Sequence, residues 1–326
     1  MQKHGQNALD KLLYKMKFGL IGHPIAHSLS PALFKAGYDG RYPYHLIETD
    51  DFEEAYRRFQ EEFDGINVTA PFKELAFAKA DILSEECRHI GATNLLIKTP
   101  EGIKAYNSDY LGVRMWLQDV AFQSSEGATS KRTPPTSWLL AAKAHWAVCL
   151  SLTTPAARGV ARFSPVAPSE DSKQSVLIVG CGGAGKAAAF AAASLGLHCI
   201  LMNRDCTKAE ALARSLSEAG HSAEARPLAD FTDCFKDSYI IIYNIPAAIP
   251  ELEGLLQSEI PSGTKHILEA NYKNPSFTRD LIERLQGLNS EIRYTGGQTW
   301  LLYQAVTGYE IFTKENPDLE KMSAVI

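Results

Sequence analysis

Val176-Leu177-Ile178-Val179 runs directly into Gly180-Cys181-Gly182-Gly183-Ala184-Gly185, and little else in the chain restricts its fold so tightly. Four consecutive apolar residues read as a strand covered on both faces, as in the interior of a parallel sheet. Gly180, Gly182 and Gly185 then fit the spacing G-x-G-x-x-G ahead of a helix expected at 186–195. In such a unit the first glycine permits the tight turn and the second lets backbone approach a pyrophosphate. The third packs helix on strand, and the helix N-terminus faces the anion. The spacing alone is weak, but the flanking strand and helix raise it above a plain Gly-rich turn. Strands at 199–202, 239–243 and 266–268, with a helix at 207–219, extend the alternation into a doubly wound α/β sheet.

The strand at 199–202 ends in Asn203-Arg204. A site for NAD usually places a carboxylate there, whereas a neutral Asn beside Arg suits a 2′-phosphate and hence NADP. Lys208 lies where it can reinforce that preference. Asp205 opposes it, because a carboxylate repels a phosphate, and so keeps NAD use open. Taken singly, Arg204 and Lys208 also fit a solvated surface face.

At 326 residues the chain is long enough for two domains, each with its own core. The division expected is a substrate domain at 17–118, an insertion or linker at 119–173, and a nucleotide domain at 174–297. From about residue 121 to 173 the composition turns to Ser, Thr, Pro and Ala with weak periodicity, apart from one possible short helix at 137–150. Residues 1–16 read as a polar, frayed extension or helix. A net charge of -5 argues against a nucleic-acid partner. Six cysteines without C-x-x-C spacing fit free thiols in a reducing, cytoplasmic setting. No signal-peptide core or membrane span is legible, and no metal site is expected: His23 and His27 lack partners spaced to complete one.

The substrate domain carries the chemistry. Asn67-Val68-Thr69-Ala70-Pro71-Phe72-Lys73 leaves a short strand and opens a helix. Gly91-Ala92-Thr93-Asn94 and Asn107-Ser108-Asp109 follow. A lysine, a carboxylate and several amide and hydroxyl side chains ahead of a nucleotide unit point to a dehydrogenase acting on a polyhydroxylated acid. Read singly, Lys73 is an ordinary helix-start lysine and Asp109 a helix cap.

These pieces, in this order, resemble the shikimate dehydrogenase family. Gly22-His23-Pro24-Ile25-Ala26-His27-Ser28-Leu29-Ser30-Pro31, Tyr272 and Gln304 complete the match, which runs from about residue 17 to 313 with 121–173 interrupting it. The resemblance implies reduction of 3-dehydroshikimate to shikimate with NADPH in aromatic amino-acid (chorismate) biosynthesis, with a C-terminal helix returning so that 298–326 completes the substrate domain; monomer and homodimer both stay open. It implies Lys73 and Asp109 as the catalytic pair and Ser28 and Ser30 on the substrate carboxylate. Asn67, Thr69, Asn94 and Gln304 would take the ring hydroxyls, with Tyr272 nearby. The cofactor would lie on Gly180, Gly182, Gly183, Ala184, Gly185, Asn203, Arg204, Lys208 and Gly297. The chain departs from the pattern at Leu33-Phe34, where His-Asn is usual, and at Ser108, usually Thr. It departs again at Asn244-Ile245-Pro246, at Glu269, where Asp is common, and at Trp300, where Met is frequent. A quinate/shikimate dehydrogenase using NAD or both cofactors is the alternative within the class. A ligand-binding sensor without turnover is the alternative outside it, and retention of both Lys73 and Asp109 argues against that.

Overall fold

The computed structural model describes residues 16–125, 175–257 and 260–326. The extension at 1–15, the possible helix at 137–150 and most of the 119–173 insertion lie outside the described residues. The described chain builds two six-stranded sheets. The first contains β1 (Phe18–Gly22), β2 (Tyr44–Glu48), β3 (Gly65–Val68), β4 (Ile82–Leu83), β5 (Leu95–Thr99) and β6 (Gly102–Tyr106), in the order β2-β1-β3-β5-β6-β4. β1 is parallel to β2 and β3, whereas β5 pairs antiparallel with β3 and with β6. The sheet is therefore mixed, and the β5–β6 hairpin turns at Pro100-Glu101 as the sequence suggests.

The second sheet contains β7 (Ser175–Val179), β8 (His198–Met202), β9 (Ala223–Ala225), β10 (Ile240–Tyr243), β11 (Lys265–Glu269) and β12 (Ile292–Thr295). Its order is β12-β11-β10-β7-β8-β9, and every pair is parallel. Read from β9, this is the 3-2-1-4-5-6 order of the dinucleotide fold, and the order reverses between β7 and β10. β7 and β10 are buried almost throughout, which explains their unbroken apolar sequences.

The helix Gly183–Ser194 follows β7. Its alanines at 187–189 and 191–193 are all buried, because the helix lies between the parallel sheet and the helix Ser108–Ser125. Small side chains let it approach both neighbours. The helix Ser108–Ser125 runs past residue 118, where the sequence suggests that the substrate domain ends. Val120 is buried, and the Tyr303 hydroxyl donates to Asp119 at 2.5 Å. The C-terminal helix Gly297–Thr313 packs along Ser108–Ser125 and then crosses β1, where Phe312 stacks on Phe18 with centroids 4.9 Å apart. The C-terminal return to the first domain is thus present.

His266 on β11 is 6% exposed and lies edge-on to Tyr239. Burial, with Arg293 adding repulsion, lowers its pKa to about 4. The native imidazole is neutral where the unfolded one takes up a proton, so stability is full above the unfolded value and is lost as pH falls toward 4. We expect this residue to cost about 2 kcal/mol between pH 7 and pH 5. Urea titrations of His266→Gln at the two pH values should show that much less acid sensitivity than the parent chain.

Candidate active site

The carboxyl ends of β1 and β3 set two loops side by side. Thr69 N–H donates to Ile21 O at 2.9 Å, and His23 N–H to Ala70 O at 3.2 Å. The helix Lys73–Ala78 starts directly after the second loop. The first loop ends in a tight polar turn at the start of helix Ser30–Gly37, where Ser28 Oγ lies 3.2 Å from both Ser30 Oγ and Ser30 N.

Two further polar segments, Thr93-Asn94 and Asn107-Ser108-Asp109, converge on Lys73. Thr93 N–H donates to Lys73 O at 3.1 Å. Asn94 Oδ1 accepts from Ser108 N at 2.7 Å and Ser108 Oγ at 3.3 Å, fastening the start of helix Ser108–Ser125. Asn107 Oδ1 accepts from Tyr110 N at 3.1 Å. Asn107 therefore caps the helix, and Asp109 is left free of the capping role that its position suggests. The Asp109 carboxylate is instead ion-paired to Lys73 Nζ. It sits in the first helical turn, where the helix dipole favours negative charge. Its side chain is 9% exposed, against 23% for Lys73, so the lysine is the more open member. Trp300 Nε1–H donates to Asp109 O at 3.2 Å and holds that turn from the opposite side.

Asp109 borders a cavity of about 110 Å³, which Ala184, Ala270, Tyr272, Gly297, Trp300, Leu301 and Gln304 also line. The sequence-expected residues Asp109, Tyr272, Gln304, Ala184 and Gly297 thus meet in one place, drawn from both domains. Trp300 is marked in the sequence only as a departure, and Ala270 and Leu301 carry no sequence signal. Ser28, Ser30, Asn67, Thr69 and Asn94 do not line that cavity; they cluster toward β1 and β3. There the Tyr44 hydroxyl donates to Asn67 Oδ1 at 2.8 Å, and Asn67 Nδ2 donates to Asn94 O at 3.3 Å. A larger cavity of about 370 Å³ opens among Tyr272, Pro275, Phe277, Ile282 and Tyr294. It holds neither member of the ion pair.

Glu269, the departure at the end of β11, is fully buried. Its carboxylate accepts from Ser276 N at 2.5 Å, Phe277 N at 3.2 Å and the Tyr294 hydroxyl at 2.8 Å. Glu269 thereby closes the loop that carries Tyr272.

At the glycine loop, Gly180 has φ +98°, a conformation that other residues rarely adopt. A Cβ on Gly185 would lie 1.8 Å from Gly180 O, so helix and strand meet backbone to backbone. A Cβ on Gly182 or Gly183 would meet nothing in the protein. No internal packing requires glycine at those two positions, which leaves their open backbone to an approaching ligand. Asn244 Oδ1, at the end of β10 beside this turn, is buried without a hydrogen-bond partner. These features fit a dinucleotide pyrophosphate at the point where the strand order reverses.

Asn203 Oδ1 accepts from Cys181 N at 3.1 Å, so this side chain braces the loop. Asp205 caps the helix Cys206–Glu218, accepting from Thr207 N at 3.1 Å and Thr207 Oγ1 at 2.7 Å. The Thr207 hydroxyl holds the Asp205 carboxyl below its ordinary value. Arg204 and Lys208 are exposed beside it. Lys186, in the first turn of the glycine-loop helix, reaches Glu74 of the neighbouring domain at 4.0 Å. Among the described residues there is no cluster of metal-ligating side chains and no helix long and apolar enough to cross a membrane, and the cysteines are free thiols.

A family model described as the shikimate dehydrogenase substrate binding domain matches residues 20–96. The shikimate dehydrogenase (NADP(+)) of Haloarcula marismortui is 27% identical over 313 residues, covering 94% of this chain and 96% of that protein. The quinate dehydrogenase of Corynebacterium glutamicum, solved in complex with NAD, superposes with a TM-score of 0.68 at 19% identity, over 95% of this chain and 98% of that one. The shikimate 5-dehydrogenase of Listeria monocytogenes, solved with shikimate and NAD, gives 0.69 at 20% identity, over 96% of each chain.

Proposed function

We propose that the chain is an oxidoreductase of the shikimate dehydrogenase family and that it reduces 3-dehydroshikimate to shikimate with NADPH. The observation that carries the reading is the Lys73–Asp109 ion pair at a cavity shared with Gln304, Tyr272 and the first turn of the glycine-loop helix. The nicotinamide dinucleotide supplies the hydride when bound.

The chain's own residues do the rest. Reduction of a ketone builds negative charge on its oxygen, and the Lys73 ammonium stabilises that charge and delivers a proton. Asp109 holds the ammonium in place. It is itself held by the Asn107 cap, the Asn94–Ser108 contacts and Trp300. Ser28 and Ser30 bind the substrate carboxylate, and Asn67, Thr69, Asn94 and Gln304 take the ring hydroxyls. Tyr44 occupies the Asn67 amide oxygen, so Asn67 offers a ligand its remaining amide N–H. Gly180, Gly182, Gly183, Ala184 and Gly185 cradle the pyrophosphate, braced by Asn203, with Gly297 at the nicotinamide side. Arg204 and Lys208 meet the 2′-phosphate.

A second reading, quinate or shikimate oxidation with NAD, is favoured by the likeness to a quinate dehydrogenase that binds NAD and by Asp205 at the strand end. Reduced-nicotinamide absorbance decides between them, with the purified chain given shikimate or quinate and NADP or NAD. Turnover of shikimate with NADP supports the main reading. Turnover of quinate with NAD supports the second. Folded protein inert in all four pairings would overturn the dehydrogenase assignment.

Arg204→Ala gives a sharper test of cofactor choice. If the guanidinium meets a 2′-phosphate, the KM for NADP rises roughly tenfold, about 1.4 kcal/mol, while that for NAD barely moves. Equal changes for both cofactors would remove Arg204 from the phosphate site.

A further inference from the structure

Two phenols meet at the serine turn, and one of them, Tyr309, has no part in the mechanism above. The Tyr309 hydroxyl donates to Ser30 O at 3.0 Å. Tyr309 is 2% exposed, and its ring packs edge-on to Phe34 and lies 6.0 Å from the ring of Tyr44. The Tyr44 hydroxyl donates to Asn67 Oδ1 at 2.8 Å and also has the Ser30 hydroxyl beside it. Thus the two rings clamp the segment that carries Ser28 and Ser30 against β2 and the C-terminal helix.

The placement of Tyr309 follows from helix geometry. Gln304 and Tyr309 share the helix Gly297–Thr313, five residues apart, or roughly 7.5 Å of rise. Gln304 lines the cavity at the ion pair, while Tyr309 reaches the serine turn 279 residues earlier in the chain. A single rigid helix therefore spans the substrate site, with one contact at each end. Burial raises both pKa values, Tyr309 adds to the rise at Tyr44, and the Ser30 hydroxyl works against it at each. The affinity of an anion held by the Ser28 and Ser30 hydroxyls would depend on how accurately those donors are aimed.

Resting on the dehydrogenase reading above, we propose that Tyr309 is a positioning residue for the carboxylate end of the substrate site. Its hydroxyl fixes Ser30 so that the Ser28 and Ser30 hydroxyls converge on one carboxylate, and Tyr44 sets the adjoining Asn67 amide.

Tyr309→Phe removes the hydroxyl and keeps the buried ring. The KM for the acid substrate should rise about tenfold, while kcat at saturation and the cofactor KM change less than twofold. Inhibition by cyclohexene-1-carboxylate, which has the acid but no ring hydroxyls, should weaken by the same factor. Tyr44→Phe should raise the acid KM as well, because it loses the bond to Asn67 and the Ser30 contact together. An unchanged acid KM in Tyr309→Phe would overturn the assignment. So would a rise matched by equal losses in kcat and cofactor affinity, or a rise without weaker inhibition. Parent chain inert toward both shikimate and quinate would remove the dehydrogenase reading and this assignment with it. An active parent with an unaltered Tyr309→Phe removes only the assignment.

Discussion

Lys73→Ala is expected to lower kcat by about 10²–10⁴-fold while the chain stays folded. The ammonium is the group proposed to stabilise the developing oxyanion and to donate the proton, and an alanine does neither. Folding should survive because Lys73 is the more exposed member of the pair and begins its helix without capping it. The variant does leave the Asp109 carboxylate, 9% exposed on its side chain, without its partner, which costs stability. Lys73→Ala/Asp109→Asn should recover that stability without recovering activity. Steady-state rates with thermal unfolding curves check both parts. An active Lys73→Ala enzyme would remove the lysine from the chemistry.

Gly185→Ala is expected to damage the nucleotide domain itself. The added methyl would lie 1.8 Å from Gly180 O, a backbone atom with no rotamer to yield. Helix and glycine turn must separate, at a cost of about 3 kcal/mol or more by comparison with ordinary overpacking. Because the displaced atoms form the pyrophosphate cradle, dinucleotide affinity should fall at least tenfold. Gly182→Ala is the informative contrast. Its methyl meets nothing in the protein, so its melting temperature should match the parent while its nucleotide affinity falls. Fluorescence titration with NADP beside thermal unfolding separates the two effects. A Gly182→Ala chain that binds NADP normally would remove the close approach of pyrophosphate to that residue.

The parts of the fold that were legible in the sequence share a physical character. Val176–Val179 and the glycines after it announce themselves because a buried parallel strand needs unbroken apolar residues, and because the positive φ at Gly180 and the close backbone approach at Gly185 need glycine. The weak edge elements were not legible. β4 has two residues and β9 has three, too few for any period to emerge, and β12 carries Arg293 and Tyr294 in an otherwise ordinary loop sequence. The helix Arg279–Leu288 escaped notice although Thr278 caps it at 3.3 Å and Leu281 and Leu285 form its buried face. Its signal follows Pro275 in a stretch dominated by charged residues.

The site divides in the same way. The residue types proposed to carry the chemistry, and their order, stood in the sequence: a lysine after Pro71, a carboxylate after Asn107, a glycine loop downstream. Their roles did not. Asp109 occupied a position equally suited to a cap, and only the bond from Tyr110 N to Asn107 shows that the carboxylate is left for Lys73. Asp205 looked like a charge set against a phosphate and is also a helix cap bound to Thr207. Tyr309, Tyr44 and Glu269 gave no sequence sign of their contacts, because those contacts join residues far apart in the chain or across neighbouring strands.

Local periodicity and backbone conformation are properties of a few adjacent residues, so the sequence alone determined the doubly wound unit, its glycine turn and the set of polar side chains available to a substrate. Distances between Lys73 and Asp109, or between Tyr309 and Ser30, depend on sheet register and helix packing, which are set by every other contact in the two cores. Only the tertiary structure decided those.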